Sequence, residues 1–289
     1  MEPQQPVMID TFCGANSPLA FAFELCGWSA QRWDWKFGKA TDDLSTDNNQ
    51  KIYKQQMERA QFLGVAMDCS TKTRVREIPR KFKDGRDMPK PIRSDEHPLG
   101  VPNLSKKDKE RIDTHNAVTS FILTCIKEHA ARGGLSARES PANSLHWKQP
   151  DEEAMWASGN WWDQLYAACA LHAVRHKRQR LRHNVLEIKD WPDNECHHKH
   201  SKEEWNPAKK SRDTWPAREE SEYTAALSIS IAISTSWAAI RLGWASMKIK
   251  ALPAPTLSGD REHWLDLDPR CMREWAMLPM ALHLELPGI

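Results

Sequence analysis

The chain has 289 residues, enough for one large domain or two small ones with a proper hydrophobic core. Its 41 lysines and arginines nearly balance 39 aspartates and glutamates, so the net charge of +2 does not by itself indicate a polyanionic partner. A mean hydropathy of −0.70 with 28% charged residues excludes a bundle of membrane-spanning helices.

The seven cysteines are an odd number, scattered along a chain well over 100 residues long. This distribution is typical of reduced thiols and not of a disulfide framework, so we expect an intracellular protein. Residues 1–6 are polar and Asp10 interrupts the apolar residues that follow, so we expect no signal peptide.

The first 70 residues alternate between strand and helix patterns. A short apolar run ends in Asp10, a turn of small residues follows, and Pro18 then begins a helical pattern that Gly27 stops. Strand, tight turn and helix in this order form the opening unit of a nucleotide-binding α/β domain. The predicted strands are 7–10, 29–35 and 62–67, and the predicted helices are 18–26 and 48–59.

The second half continues the alternation after a basic loop at 72–93. Ser105, followed by Asp108 three residues later, predicts the start of a long helix that Gly133 ends. Its apolar face comprises Ile112, Val118, Phe121, Ile122, Cys125 and Ile126. Later strands are predicted at 135–138, 166–172 and 181–188, and a last helix at 219–241. We therefore predict a mostly parallel sheet with helices on both faces over residues 1–245, followed by a proline-containing appendage at 246–289.

Acidic and small residues fall at the predicted carboxyl ends of the strands, where open parallel sheets bind ligands. They are Asp10, the turn at 13–17, Asp34, Asp43 and the pair at 68–69. Small residues let a ligand approach the backbone, and an acid after the second strand can accept hydrogen bonds from ribose hydroxyls. A single glycine between strand and helix is also an ordinary turn, and that alternative stays open.

Cys69 follows a strand that reads as buried, and Lys72, Arg74 and Arg76 come next. Cationic neighbours favour the thiolate, which is the nucleophilic form of cysteine. The alternative is a small residue of the core, because free cysteines are often simply buried.

A basic segment lies between the last two predicted strands. Arg178, Arg180 and Arg182 share one face if the segment is a strand, as either a solvated edge or a strip that contacts phosphates.

Cys196, His197, His198 and His200 have the atoms that bind zinc. Zinc sites usually divide their ligands between two short segments, and the sequence offers no second pair at a usual distance. We therefore expect no metal.

In chain order these segments resemble the motifs of the DNA cytosine-5 methyltransferase family, in its divergent members from retroelements and phages. Residues 9–15, Ile-Asp-Thr-Phe-Cys-Gly-Ala, resemble the Asp-Leu-Phe-Cys-Gly-x-Gly loop that cradles S-adenosylmethionine. Residues 67–69 are similar to the Pro-Pro-Cys loop, 138–141 to the Glu-Asn-Pro motif and 178–182 to the Gln-x-Arg-x-Arg strand.

The resemblance implies a Rossmann-like methyltransferase fold that uses S-adenosyl-L-methionine. It implies that Cys69 adds to carbon 6 of a flipped cytosine, that Glu139 grips the cytosine ring, and that Arg180 and Arg182 support the nucleotide. The cofactor-binding residues implied by the matching motifs are Asp10, Phe12, Cys13, Gly14, Ala15, Asp34, Asp43, Leu44 and Tyr223.

DNA is the partner that the resemblance implies, with RNA as the alternative. The expected contacts to nucleic acid are Lys72, Arg74, Arg76 and Arg178. We expect no membrane association and no obligate protein partner. An enzyme acting on eukaryotic DNA would be nuclear.

Three departures from the family pattern leave a second hypothesis open. Met67 and Asp68 replace the two prolines before the nucleophile, and Ser140 replaces the asparagine of Glu-Asn-Pro. An acid beside Cys69 opposes formation of the thiolate. The alternative is a catalytically lapsed methyltransferase fold that acts as a nucleic-acid-binding or interaction module. A methyltransferase acting on another substrate is a third hypothesis.

Overall fold

The computed structural model describes residues 5–14, 16–67, 69–77, 90–189, 191, 195–197, 199–201 and 223–244. The predicted appendage at 246–289 lies outside the described residues, as do Ala15, Asp68 and His198. None of the helices in the described ranges is both long and apolar enough to cross a membrane.

The fold is a Rossmann-like α/β fold built on one six-stranded sheet. Among the described strands, five run in the same direction and β6 is antiparallel to its neighbours β4 and β5. The strand order in the sheet is β2-β1-β3-β4-β6-β5. The strands are β1 (Val7–Thr11), β2 (Ser29–Trp33), β3 (Phe62–Ala66), β4 (Leu135–Pro141), β5 (Trp162–Ala167) and β6 (Arg178–His183).

Helices cover both faces of this sheet. In the sheet, β2 lies on one side of β1 and β3 lies on the other side. The connections from β1 to β2 and from β2 to β3 therefore run in opposite directions across the sheet. Because such crossovers are right-handed, the helices in these two connections lie on opposite faces. In the part of the chain that the structure describes, the α-helices are α1 (Pro18–Leu25), α2 (Trp35–Gly38), α3 (Asp47–Met57), α4 (Lys106–Ala131), α5 (Pro150–Ala157), α6 (Leu186–Lys189) and α7 (Ala225–Arg241). Among them α7 packs on α1 and α6, whereas α4 packs on α3 and α5.

Adjacent residues of β3 show how the sheet divides the core. Phe62 stacks on Phe23 of α1, with ring centroids 4.8 Å apart. Leu63 belongs to the core cluster on the other face, together with Tyr53 of α3 and Ile126 of α4. Because successive side chains of a strand point to opposite faces, the continuous apolar run of β3 is buried on both sides.

The long helix α4 begins where its capping sequence predicts. The Ser105 hydroxyl accepts a hydrogen bond from the Asp108 amide at 3.1 Å and donates one to the Asp108 carboxylate at 2.7 Å. Ile112, Ile122 and Ile126 of the predicted apolar face are buried, so both the start of the helix and its orientation are confirmed.

Two predicted strands were wrong in their bounds. The segment predicted at 166–172 is the end of β5 followed by a 3₁₀ turn at Ala168–Leu171, and the segment predicted at 181–188 is the end of β6 followed by α6. Apolar runs suggested both predictions, but the actual strands begin in polar sequence. β6 is arginine-rich and still lies inside the sheet, because its charges are paired within the protein.

Candidate active site at the carboxyl edge of the sheet

The carboxyl ends of β1, β3 and β4 meet at one edge of the sheet, as the sequence predicts. Thr11 pairs with Val65, and Ala66 pairs with Glu139. Cys69 lies three residues beyond β3 at the same edge, half-buried, and its carbonyl accepts the amide of Lys72 at 2.9 Å. Neighbouring strands therefore bring three predicted site residues, Asp10, Cys69 and Glu139, to a common edge.

Asp10 is a buried acid that is only half satisfied. Its Oδ2 accepts the amide of Ala20 at 3.1 Å, whereas its Oδ1 has no hydrogen-bond partner among the described residues. Burial raises the pKa of the Asp10 carboxyl from 3.8 to about 7. An unpaired buried oxygen is costly, so Oδ1 is a position for a further hydrogen bond, which Asp10 donates when protonated and accepts when ionised.

The turn after β1 has backbone torsion angles that residues other than glycine rarely adopt. Phe12 and Ser17 have φ values of 61° and 45°, in the left-handed region where non-glycine residues are strained. Gly14 has a φ of 72°, and its amide donates to Oδ2 of Asp34 at 3.0 Å. The Phe12 amide donates to the Trp33 carbonyl at 2.6 Å. The end of β2 thus holds the turn in a strained conformation.

A small cavity opens beside this turn. It has a volume of about 10 Å³, about the space that one water needs. Asp10, Phe12, Cys13 and Tyr223, all predicted to bind the cofactor, line it together with Pro18, Leu19 and Ala66. The turn or Tyr223 must therefore move before anything larger than a water can enter.

The other residues predicted to bind the cofactor have different surroundings. Leu44 is 3% exposed and packs in the hydrophobic core, so its side chain is not available to a ligand. Asp43 closes a local turn, in which its carboxylate accepts the Ser45 amide at 2.9 Å. Neither contact was apparent from the sequence, because the Asp-Leu pair looks the same in a binding loop and in a turn before a helix.

Glu139 is a buried acid at the end of β4. Glu139 is 8% exposed, and its Oε1 has no hydrogen-bond partner in the described part of the chain. Burial raises the pKa of the Glu139 carboxyl, and nearby Lys177 partly opposes the shift. Tyr166 and Tyr223 are close enough for the Glu139 charge to add to the effect of burial in raising their pKa values. A protonated Glu139 can donate a hydrogen bond as well as accept one.

Arg180 and Arg182 lie on the other face of the sheet from Glu139. Glu139 pairs directly with Leu181, whereas Arg180 pairs with Ser140. Directly paired residues point to the same face, and adjacent residues point to opposite faces. Arg180 and Arg182 share one face of β6, as the sequence predicts. Glu139 lies on the opposite face of the sheet.

The Arg182 side chain is engaged in a buried ionic cluster. Glu152 of α5 accepts from Arg138 at 3.0 and 3.1 Å and from Arg182 at 3.1 Å, and Nε2 of His146 lies 2.8 Å from its Oε1. Arg182 also donates to both oxygens of Asp163, at 2.7 and 2.9 Å. This cluster was not predictable from the sequence, because Glu152 looks like a solvated acid in the first turn of a helix.

Beside this cluster is a cleft of about 680 Å³, within the range of about 300–1,000 Å³ typical of ligand sites. Trp147 and Trp156 contribute aromatic surface, and the Arg182 guanidinium lies 4.9 and 4.4 Å from their ring centroids. The cleft is lined by four cationic side chains, Arg74, Lys148, Arg180 and Arg182, and two acidic ones, Glu153 and Asp163. The lining cations outnumber the lining acids, although Arg74 is paired with Glu77 and Asp95, and both Arg180 and Arg182 are paired with Asp163.

The four predicted nucleic-acid contacts differ in accessibility. Lys72 is 1% exposed and donates to the Thr119 hydroxyl at 2.7 Å, so its ammonium group cannot reach a phosphate at the surface. Arg74 lines the cleft and is held by Glu77 and Asp95. Arg178 is largely exposed, 3.9 Å from Glu195. The side chain of Arg76 lies outside the described residues.

No protein-family model and no curated protein matches this sequence. Among solved structures, the chain is similar to a methyltransferase of Entamoeba histolytica, EhMeth, at 11% sequence identity and a TM-score of 0.35. The similarity covers 68% of this chain and 58% of that one, less than two thirds of its length. A similarity of this size supports no conclusion about activity.

Proposed function

We propose that the chain is an S-adenosylmethionine-dependent methyltransferase that acts on carbon 5 of cytosine in DNA. The observation that carries the proposal is Glu139, a buried acid with an unpartnered oxygen at the end of β4. It lies beside the strand that leads to Cys69. This pairing of an acid with a thiol at adjacent strand ends supports the motif resemblance of both segments.

The donor set around the β1 turn suits S-adenosylmethionine. Asp10 offers an unpaired oxygen to a cationic or hydroxyl group, and the Asp34 carboxylate already accepts one backbone amide. Phe12 adds an aromatic side chain at the cavity wall. The bound cofactor would supply an electrophilic methyl group. Entry requires the cavity of about 10 Å³ to open, with Asp34 exchanging the Gly14 amide for ribose hydroxyls.

The proposed roles of Cys69 and Glu139 follow from their chemistry. The Cys69 thiolate adds to carbon 6 of a cytosine that has left the base stack, which makes carbon 5 nucleophilic. Burial raises the pKa of Glu139 and so favours its protonated form, which donates a hydrogen bond to the ring nitrogen and stabilises the charge that develops there. Carbon 5 would then take the methyl group as the S–CH3 bond of the sulfonium breaks. It would lose its proton to solvent as the C5–C6 double bond re-forms and the Cys69 thiolate is expelled.

The experiment that tests this proposal is covalent trapping on DNA that contains 5-fluorocytosine. The fluorine on carbon 5 cannot leave as a proton does, so the Cys69 adduct should persist with S-adenosylmethionine present. Cys69→Ala should abolish the adduct without changing cofactor binding. Cys26→Ala, which changes a half-buried thiol at the end of α1, should still be trapped.

Absence of any adduct in a folded, cofactor-binding wild type would refute the Cys69 mechanism. Transfer of labelled methyl groups to RNA but not to DNA would instead assign the same chemistry to an RNA substrate. Both readouts use the purified full chain on mixed-sequence nucleic acid.

The small cavity favours a second candidate function, a lapsed methyltransferase fold that binds nucleic acid through the basic cleft. In that case the Asp34 carboxylate stays hydrogen-bonded to the Gly14 amide and does not bind a ribose. Calorimetry distinguishes the two candidates, because a lapsed module binds DNA but shows no heat on addition of S-adenosylmethionine.

A further inference from the structure

Three side chains with metal-binding atoms converge outside the site described above. Cys169, Cys196 and His200 place two sulfurs and an imidazole nitrogen within 4.8 Å of one another. Cys169 is buried in the 3₁₀ turn after β5, whereas Cys196 and His200 come from a later segment. The ligand atoms therefore come from two separate parts of the chain, which the sequence alone could not bring together.

The spacing of these atoms is close to that of a zinc site. In tetrahedral coordination, bond lengths of about 2.3 Å to sulfur and about 2.0 Å to nitrogen separate neighbouring ligand atoms by about 3.5–3.8 Å. The Sγ of Cys196 lies 3.0 Å from Nε2 of His200. An ion entering between them requires a shift of only some tenths of an ångström from this contact.

We propose that Cys169, Cys196 and His200 bind a structural zinc ion, with His176 as the fourth ligand. Two thiolates and two imidazoles are a common ligand set for structural zinc. The two thiols lose their protons to solvent as the metal binds. Neither cysteine forms a disulfide in the structure, and reduced thiols are the form that the metal requires.

The position of His176 supports its assignment as the fourth ligand. Its ring centroid lies 5.2 Å from that of His200. Its nitrogens are outside the group of atoms that lie within 4.8 Å of one another, so the His176 side chain must turn toward the other three ligands to complete the site. Two imidazoles bound to one tetrahedral zinc ion have their centroids about 5 Å apart, given a metal–nitrogen bond of about 2.0 Å. His176 and Cys169 belong to the same connection between β5 and β6, so the two halves of the site each supply two ligands.

The zinc ion would hold the 195–201 segment against the carboxyl edge of the sheet. The connection from β5 to β6 lies at that edge, because β5 ends and β6 begins there. It also contains Lys177, which acts electrostatically on Glu139. The Arg178–Glu195 pair, 3.9 Å apart, joins the same two segments. The metal thus stabilises the loop next to the proposed catalytic acid without taking part in its chemistry.

The test is the metal content and cobalt spectrum of the full chain, purified under reducing conditions. We expect about one equivalent of zinc per chain. After replacement by Co²⁺, we expect the visible absorption of a tetrahedral site and a near-ultraviolet thiolate-to-cobalt charge-transfer band. A chain that neither retains zinc nor gives this spectrum when cobalt is added overturns the proposal. A Cys169–Cys196 disulfide that persists under the reducing conditions overturns it as well.

Matched variants locate the site. Cys196→Ser and His200→Ala should lose the bound metal, whereas His197→Ala and Cys26→Ser should retain it, since His197 is exposed and Cys26 lies in another part of the fold. Circular dichroism of each variant controls for folding. Retention of zinc and the unchanged charge-transfer band in Cys196→Ser contradict the proposal. An unchanged zinc affinity in His176→Ala overturns the assignment of the fourth ligand.

Discussion

The Gly14 amide donates to Oδ2 of Asp34 across 3.0 Å and joins the turn after β1 to the end of β2. The hydrogen bond links the two segments that the proposed function assigns to the cofactor. The same carboxylate therefore holds the strained turn in place and, in the proposed function, would also bind the ribose. Loss of this carboxylate should affect both the turn and the ligand.

The first prediction concerns this carboxylate. Asp34→Ala should weaken S-adenosylmethionine binding by about 1.5–3 kcal/mol, the range for hydrogen bonds to a charged group. Asp47→Ala, which removes an exposed acid from the first turn of α3, should leave the affinity unchanged. Isothermal titration calorimetry measures both. Equal affinities for wild type and Asp34→Ala would show that Asp34 has only a structural role.

The second prediction concerns the stability contributed by Asp10. Its pKa is about 7 in the folded protein and 3.8 in the reference state, so the folded state holds an extra proton between these values. Ionisation of Asp10 therefore lowers the free energy of unfolding of the wild type as the pH rises from about 4 to 7, by up to about 4 kcal/mol. Asp10→Asn does not titrate, so the variant should gain stability relative to wild type across this window.

The comparison with the variant is needed because buried histidines act in the opposite direction. His129, His146 and His183 are held neutral by burial, with pKa values of about 4. Their contribution to stability rises with pH between about 4 and 6.5. Chemical denaturation of both proteins at several pH values isolates the Asp10 contribution. A difference between wild type and variant that is constant from pH 4 to pH 7 contradicts the prediction.

The third prediction is that Glu152→Gln strongly destabilises the fold. Burial alone would raise the pKa of Glu152, but the charges of Arg138 and Arg182 and a hydrogen bond from His146 hold it well below its usual range. Removing the charge leaves two buried guanidinium groups without their shared partner, at a cost of about 3–5 kcal/mol. Glu128→Gln breaks the exposed pair with Lys54 and should cost at most about 1 kcal/mol.

Urea denaturation of the two variants gives both free energies. A Glu152→Gln variant no less stable than Glu128→Gln would mean that the cluster contributes nothing to the stability of the fold. Because the pKa of Glu152 is depressed, its contribution is present above pH 4.5 and is lost in acid.

The sequence could predict the Rossmann-like sheet and the carboxyl edge, because strand–turn–helix order and acids at strand ends are local patterns. Asp10 and Glu139 were located in this way. The alternation along β6 was also predictable, but not the face on which its arginines lie. That face depends on the register with β4, which pairs Glu139 with Leu181.

Other parts of the site depend on residues that are distant in the sequence. Glu152 looks like a solvated acid until α5 packs it against Arg138. The sequence shows Cys196 and His200 without a second pair of ligands, and only the connection after β5 brings Cys169 to them. Lys72 reads as a phosphate contact in a basic segment, but the chain turns it inward onto Thr119.

The last prediction separates Arg180 from Arg182 in the binding of nucleic acid. Arg180 lines the cleft, 3.1 Å from Asp163, with its Nε lacking a hydrogen-bond partner among the described residues. Arg180→Ala should weaken binding to duplex DNA and reduce the slope of log affinity against log salt concentration by about 0.9, the value for one lost phosphate contact.

Arg182 is 4% exposed and engaged with Glu152, so Arg182→Ala should instead lower the stability of the fold. Lys109→Ala, at an exposed pair on α4, should change neither property. Fluorescence anisotropy at several salt concentrations, with denaturation of each variant, measures both. An Arg180→Ala protein with wild-type affinity and an unchanged salt slope would exclude the cleft as the nucleic-acid interface.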